Sequence, residues 1–166
     1  MKAILTITIL AWMALGCTNC ESTAQAGPPV SGELVLIQFT VDAALQGWKV
    51  TEGSFAGNEA GNAVFSGGAG AAIQCDFNPV EVAPYGSLVL GLKGDGRSYQ
   101  LSLQPDRDAA PVCVAGFQTR GEWETVEIPF AGMRPAFPGP TLARLQIRAG
   151  DGSGPFRLEI DRIWLK

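Results

Sequence analysis

The chain contains no histidine. Imidazole is the side chain that most often moves protons or holds zinc near neutral pH, so its absence excludes every Ser-His-Asp, Cys-His and His-ligated arrangement at once. Charge is also sparse: 17% of the 166 residues are Asp, Glu, Lys or Arg, and the formal net charge is −4. A chain without a basic excess has no field with which to hold nucleic acid or an anionic lipid surface. Past the N-terminus there is no apolar run long enough to span a membrane, and no stretch repeats its apolar residues at helical spacing. Among hydrolytic chemistries this leaves a carboxylate pair, and among metal sites an oxygen-ligand calcium site.

What the sequence does contain favours strands. Hydrophobic residues make up 46% of it, and 21 Gly and 11 Pro interrupt them at short intervals, a mixture that closes many short strands with turns. The length suits one domain with a real core. Residues 1–16 have the layout of a signal peptide: Lys2, an apolar stretch from Ala3 to Leu15, then a small residue before Cys17. Ala14-Leu15-Gly16-Cys17 resembles a bacterial lipobox, which implies acylation at Cys17, export, and, with Thr18 next, outer-membrane sorting in a Gram-negative host; the alternative is ordinary secretion. Cys17 and Cys20 form a C-x-x-C, but no βαβ pattern or second such pair accompanies it. The stretch up to Gly32 lacks periodicity and reads as a flexible tether, so the folded domain is expected over residues 33–166.

Within that domain, Leu88, Leu90 and Leu92 alternate into Gly94-Asp95-Gly96, and Tyr99, Leu101 and Leu103 alternate out of it. The pattern predicts two strands joined as a β-hairpin. Further strands are expected at 33–40, 62–66, 71–77, 112–119, 123–130, 142–149 and 156–165, with residues 78–85 and the Pro-rich 131–141 as loops. The sum is two packed antiparallel sheets. Cys75 and Cys113 fall on separate strands and form either a disulfide in an oxidising compartment or two buried thiols.

Polar residues gather on alternate positions. Ser98, Gln100 and Ser102 share one strand face, and Arg144, Gln146 and Arg148 share another; if both belong to one sheet, they form a surface of amide and guanidinium donors, or else an ordinary solvated face. Trp48 and Trp123 are aromatic platforms for a sugar ring or a partner side chain, or else core. Trp123 is the one expected to be exposed, because it alternates against Val126, Ile128 and Phe130. Asp95 and Arg97 flank the turn as turn-shaping residues or as a contact point. Asp161, with Glu159, is a weak calcium candidate set against a structural role, and no cofactor is expected. Glu122, Glu124 and Glu127 lie too close in sequence to form an acid/base pair across a cleft.

Three segments, GDGRSYQLSL at 94–103, AGFQTRGEWETVEIPF at 115–130 and FRLEIDRIWLK at 156–166, together resemble the complex I intermediate-associated protein family. In that family a Gly-Asp-Gly-Arg-x-Tyr motif, here Gly94, Asp95, Gly96, Arg97 and Tyr99, sits in a galactose-binding-like domain. The first third of the chain lacks the family's Asp-Gly-Val-Met-Gly-Gly-like signature. The resemblance implies an all-β, antiparallel jelly-roll β-sandwich with an assembly-factor or chaperone-like binding role and no catalysis. The expected partner is a protein, or alternatively a glycan if the domain is a jelly-roll carbohydrate-binding module that uses Trp123 or Trp48 with Gln100. Nucleic acid is not expected, and the membrane enters only through the lipid anchor. Mass spectrometry of the exported protein is expected to find residues 1–16 removed and an acylated Cys17 at the new N-terminus; an unmodified Cys17 overturns the lipobox reading.

Overall fold

The computed structural model describes residues 32–40, 45–108, 112–150, 152 and 154–166. The expected signal peptide, Cys17 and the expected tether up to residue 31 lie outside the described residues. Nine strands follow one another: β1 Leu34–Gln38, β2 Trp48–Gly57, β3 Ala63–Glu81, β4 Ser87–Lys93, β5 Ser98–Gln104, β6 Cys113–Gln118, β7 Trp123–Pro129, β8 Thr141–Ala149 and β9 Phe156–Leu165, with one 3-10 turn at Phe130–Gly132. All pairings are antiparallel.

The registers resolve the strands into two layers of a jelly-roll β-sandwich. The first sheet runs β6-β5-β8 and then the C-terminal part of β3, with Trp48–Thr51 of β2 at its edge. The second runs from the C-terminal part of β2 through Ala63–Gly67 of β3 to β9, β4 and β7, with β1 beside the end of β9. Two strands therefore pass through both layers. Their corner lies where the β2–β3 register shifts between Thr51 and Gly53. There a Cβ on Gly53 would meet the Ser66 carbonyl at 2.7 Å, and one on Gly67 would meet the Glu52 carbonyl at 2.9 Å. Only glycine lets the backbones approach so closely. Hence the Gly-rich stretch, expected to hold two separate short strands, forms one 19-residue strand that also takes in the first residues of the expected 78–85 loop.

A second difference concerns the expected hairpin. β4 pairs with β7 and β9, whereas β5 pairs with β6 and β8, so the strands on either side of Gly94-Asp95-Gly96 lie in opposite layers. Their apolar sets face each other across the core: Leu88, Leu90, Leu92, Leu101 and Leu103 are each 0% exposed. The link is an arch between sheets. Tyr99 of β5 makes an edge contact with Phe156 of β9 at 5.8 Å, which joins the layers directly.

The arch is held by one carboxylate. Asp95 Oδ1 accepts the Arg97 backbone N–H (3.2 Å) and the Tyr99 hydroxyl (3.0 Å), while Oδ2 accepts the Arg157 backbone N–H (3.3 Å). Arg97 pairs with the same carboxylate at 3.3 Å and donates to the Gly154 carbonyl at 2.9 Å. Gly94 packs against Thr119, whose side chain a Cβ would overlap, and Gly96 has φ +86°. Burial, with the Asp95 charge adding to it, raises the Tyr99 pKa well above the usual phenol range, so the hydroxyl remains a donor.

Cys75 and Cys113 are both buried but do not bond to each other. Cys75 pairs with Leu145, Leu145 with Leu103, and Leu103 with Cys113, so the two cysteines stand three strand spacings apart in one row. That is roughly 14 Å at the usual spacing between strands, far beyond the Cα separation of about 7 Å that a disulfide can bridge. Burial raises the Cys113 pKa, and the thiol contacts the Ala136 carbonyl at 3.8 Å. A reductant is therefore expected to leave the thermal unfolding midpoint unchanged; a fall of several degrees on reduction would contradict this pairing.

Candidate partner-binding face

The outer face of the first sheet can be read row by row from its registers. One row runs Gly116, Gln100, Arg148, Ala72, Thr51 across β6, β5, β8, β3 and β2. The next runs Val114, Ser102, Gln146, Gln74, Lys49, and a third holds Gln104, Arg144 and Asp76. The two polar sets predicted from alternation thus occupy adjacent strands: Gln100 directly opposes Arg148, and Ser102 opposes Gln146.

The two halves of this face differ. At one end Asp76 Oδ1 accepts from Arg144 Nε (2.6 Å) and Gln74 Nε2 (3.1 Å), and Oδ2 accepts from Lys49 Nζ (2.7 Å). Arg144 Nη1 also donates to Gln104 Oε1 (2.9 Å) and to the Arg107 carbonyl (3.0 Å). These groups satisfy one another. At the other end Gln100 and Arg148 are exposed and Gln146 is half-buried, and among the described residues their side chains make no hydrogen bond or ion pair. Small residues, Gly116 and Ala72, flank the Gln100–Arg148 pair in its row.

The face carries no aromatic ring among the described residues. Trp48 is turned inward at the sandwich edge, its ring 5.0 Å from Phe55 and 5.9 Å from Phe39, and is no platform. Trp123 is 47% exposed, as its alternation predicts, but it lies on β7 in the second sheet. The proposed grouping of Trp123 or Trp48 with Gln100 in one sugar site is therefore not formed. Asp95 and Arg97 shape the arch, and among the described residues no cluster of three His, Cys, Asp or Glu side chains surrounds Asp161. Sequence reasoning passed over Asp76 and Gln74, although their alternation with Cys75 and Phe77 signals an outward position.

The family model of complex I intermediate-associated protein 30 matches residues 40–160. The chain belongs to that family. The match begins at residue 40, so it takes in the stretch before Leu88 that the three resembling segments left uncovered. Among curated proteins none matches significantly. Solved structures similar to this family member include a variant of a family 29 carbohydrate-binding module, with TM-score 0.62 and 13% identity over 81% of this chain and 91% of that one. Another variant of that module, complexed with cellulohexaose, has TM-score 0.59 and 14% identity over 80% and 89%. The family 11 module of a cellulosomal cellulase of Clostridium thermocellum has TM-score 0.56 and 17% identity over 81% and 94%. At these identities the likeness is one of fold.

In this complex I intermediate-associated domain the knit end of the face has a defined response to pH. Desolvation pushes the Asp76 pKa up, but hydrogen bonds and charge from Arg144 and Lys49 outweigh it and hold the carboxyl below its ordinary value of 3.8. A pKa depressed by folding contributes stability that is full above the unfolded value and is lost as pH falls through the folded one. Asp76→Asn is therefore expected to lower stability at pH 7 and to flatten its acid limb below about pH 4, measured by urea unfolding across pH; an unchanged limb would contradict the role of Asp76.

Proposed function

We propose that the chain is a non-catalytic binding domain, exported and held at a membrane by a lipid on Cys17, that recognises a protein partner through the open half of the first sheet. The observation that carries this reading is the trio Gln100, Gln146 and Arg148, donors on adjacent strands with no hydrogen-bond or ion-pair partner among the described residues. A guanidinium fork beside two amides suits a carboxylate on an acidic segment, which it can bind through two parallel hydrogen bonds. The missing aromatic ring argues against a sugar on this face, since stacking would have no platform. With no histidine in the sequence and its donors directed outward, the face offers recognition rather than proton transfer.

The test is a photo-reactive residue placed at Ser98, on the same outer face, in the native host. A discrete protein adduct is expected, lost with Arg148→Glu, reduced with Arg148→Lys, which keeps the charge but not the fork, and retained with Trp123→Ala. Adduct yield that is indifferent to Arg148→Glu would overturn the proposal. Because Arg148 is exposed, neither substitution is expected to shift the unfolding midpoint.

A further inference from the structure

The opposite side of the sandwich carries a groove that the partner-binding face does not use. β9 contains one extra residue: Gly91 pairs with Arg162 and Leu92 with Ile160, which leaves Asp161 between them. Ile160 and Ile163 are both 0% exposed, so the bulge turns Asp161 and Arg162 outward side by side. The Arg162 guanidinium stands 4.3 Å from the centre of the Trp164 ring, which fixes its plane while its N–H edges make no hydrogen bond among the described residues. Gly91 contributes no side chain beside them; a Cβ there would lie 3.5 Å from both Arg162 Cγ and Trp164 Cζ3. Trp123, Glu124 and Thr125 of β7 form the other wall of this shallow groove, which is open to solvent and has a volume of about 300 Å³. Glu124 is held by Arg120 through its backbone N–H and its side chain.

We infer that this groove binds a pyranose ring of a neutral saccharide, stacked on Trp123 and hydrogen-bonded by Asp161, Arg162 and Thr125. An indole that is 47% exposed beside a groove offers a flat apolar surface to the C–H face of a sugar ring. Sugar hydroxyls both donate and accept, and the groove provides a carboxylate that accepts, a guanidinium that donates and a hydroxyl that does both. The volume is at the small end for ligand sites, which run from about 300 Å³ upward, and so suits one or two rings. Glu124 is paired with Arg120 and Asp161 stands beside Arg162, so the groove has no net positive charge, and in a chain of net charge −4 that disfavours an anionic ligand. The site goes beyond the protein-recognition reading and is physically separate from it, being on the other sheet.

Cellohexaose, mannohexaose and xylohexaose serve as neutral probes and a hexagalacturonate as the anionic one, with calorimetry and tryptophan fluorescence as readouts on the intact protein. Saturable binding of at least one neutral probe is expected, with no binding of the anionic one. Trp123→Ala is expected to weaken binding about tenfold or more, the equivalent of roughly 1.4 kcal/mol. Gly91→Val is expected to weaken it as well by filling the floor, and valine suits a strand, so the unfolding midpoint should hold. Arg148→Glu, on the other sheet, is expected to leave it unchanged. The inference is overturned if no neutral probe binds, if binding survives both groove variants, if the anionic probe binds as well as the neutral ones, if a peptide competes the sugar away while binding more tightly, or if Arg148→Glu abolishes it. Failure here would leave the cross-linking result at Ser98 untouched.

Discussion

The continuity of β3 through both layers is the constraint on which the structure depends. Its first residues pair with β9 and its last with β8, so neither sheet can slide without carrying the other. A period-two strand that slips by one residue turns every side chain to the opposite face. The same register therefore fixes what points inward, such as Phe65 and Ile73, both 0% exposed, and what points outward, such as Gln74 and Asp76. Because β2 follows β3 round the corner, the edge of the sandwich turns as a pair of strands, and Gly53 and Gly67 are where that turn is sterically permitted.

The arch at Asp95 does for the other end what the corner does for this one. Its carboxylate takes donors from the turn itself, from β5 and from β9, which are elements of opposite sheets. The Gly-Asp-Gly-Arg-x-Tyr pattern is thereby explained as a device of architecture: one glycine fits under Thr119, the other takes the positive φ, and Tyr99 closes the core while reaching Asp95. None of the five residues is left over for a ligand, which is why the polar face and the groove must be built from other positions.

Alternation was enough to show the layers and the outward side chains. Leu88, Leu90 and Leu92 point inward as the period requires, and the prediction that Ser102 and Arg148 could share a sheet holds because β5 and β8 pair. What alternation could not show was which strands are neighbours. A Gly-Asp-Gly link has the same composition whether it closes a hairpin or crosses between sheets, and the difference lies in pairings with distant strands, such as Leu88 with Leu165 and Tyr99 with Ala149. The same non-local ordering separates Cys75 from Cys113. The extra residue at Asp161 leaves no mark in composition either, yet it alone brings Asp161 and Arg162 to one side and so makes a groove where a regular strand would make none.

The division of the polar face follows from its charges. Asp76 stands opposite Arg144 and accepts from Lys49 as well, so two of the three cations on that face are neutralised or shared within the fold. Had Asp76 been neutral, the whole face would be a basic patch, and its attraction for anions would be broad and weakly directional. With the network in place, Arg148 is the cation of this face that has no ion pair among the described residues, flanked by amides that donate but carry no charge. In a chain whose net charge is negative, long-range attraction does not favour an acidic partner. Selectivity on this face must then come from contact geometry, the fork of one guanidinium and the spacing of two amides fixed by the sheet register, and that returns the argument to the strand that sets the register.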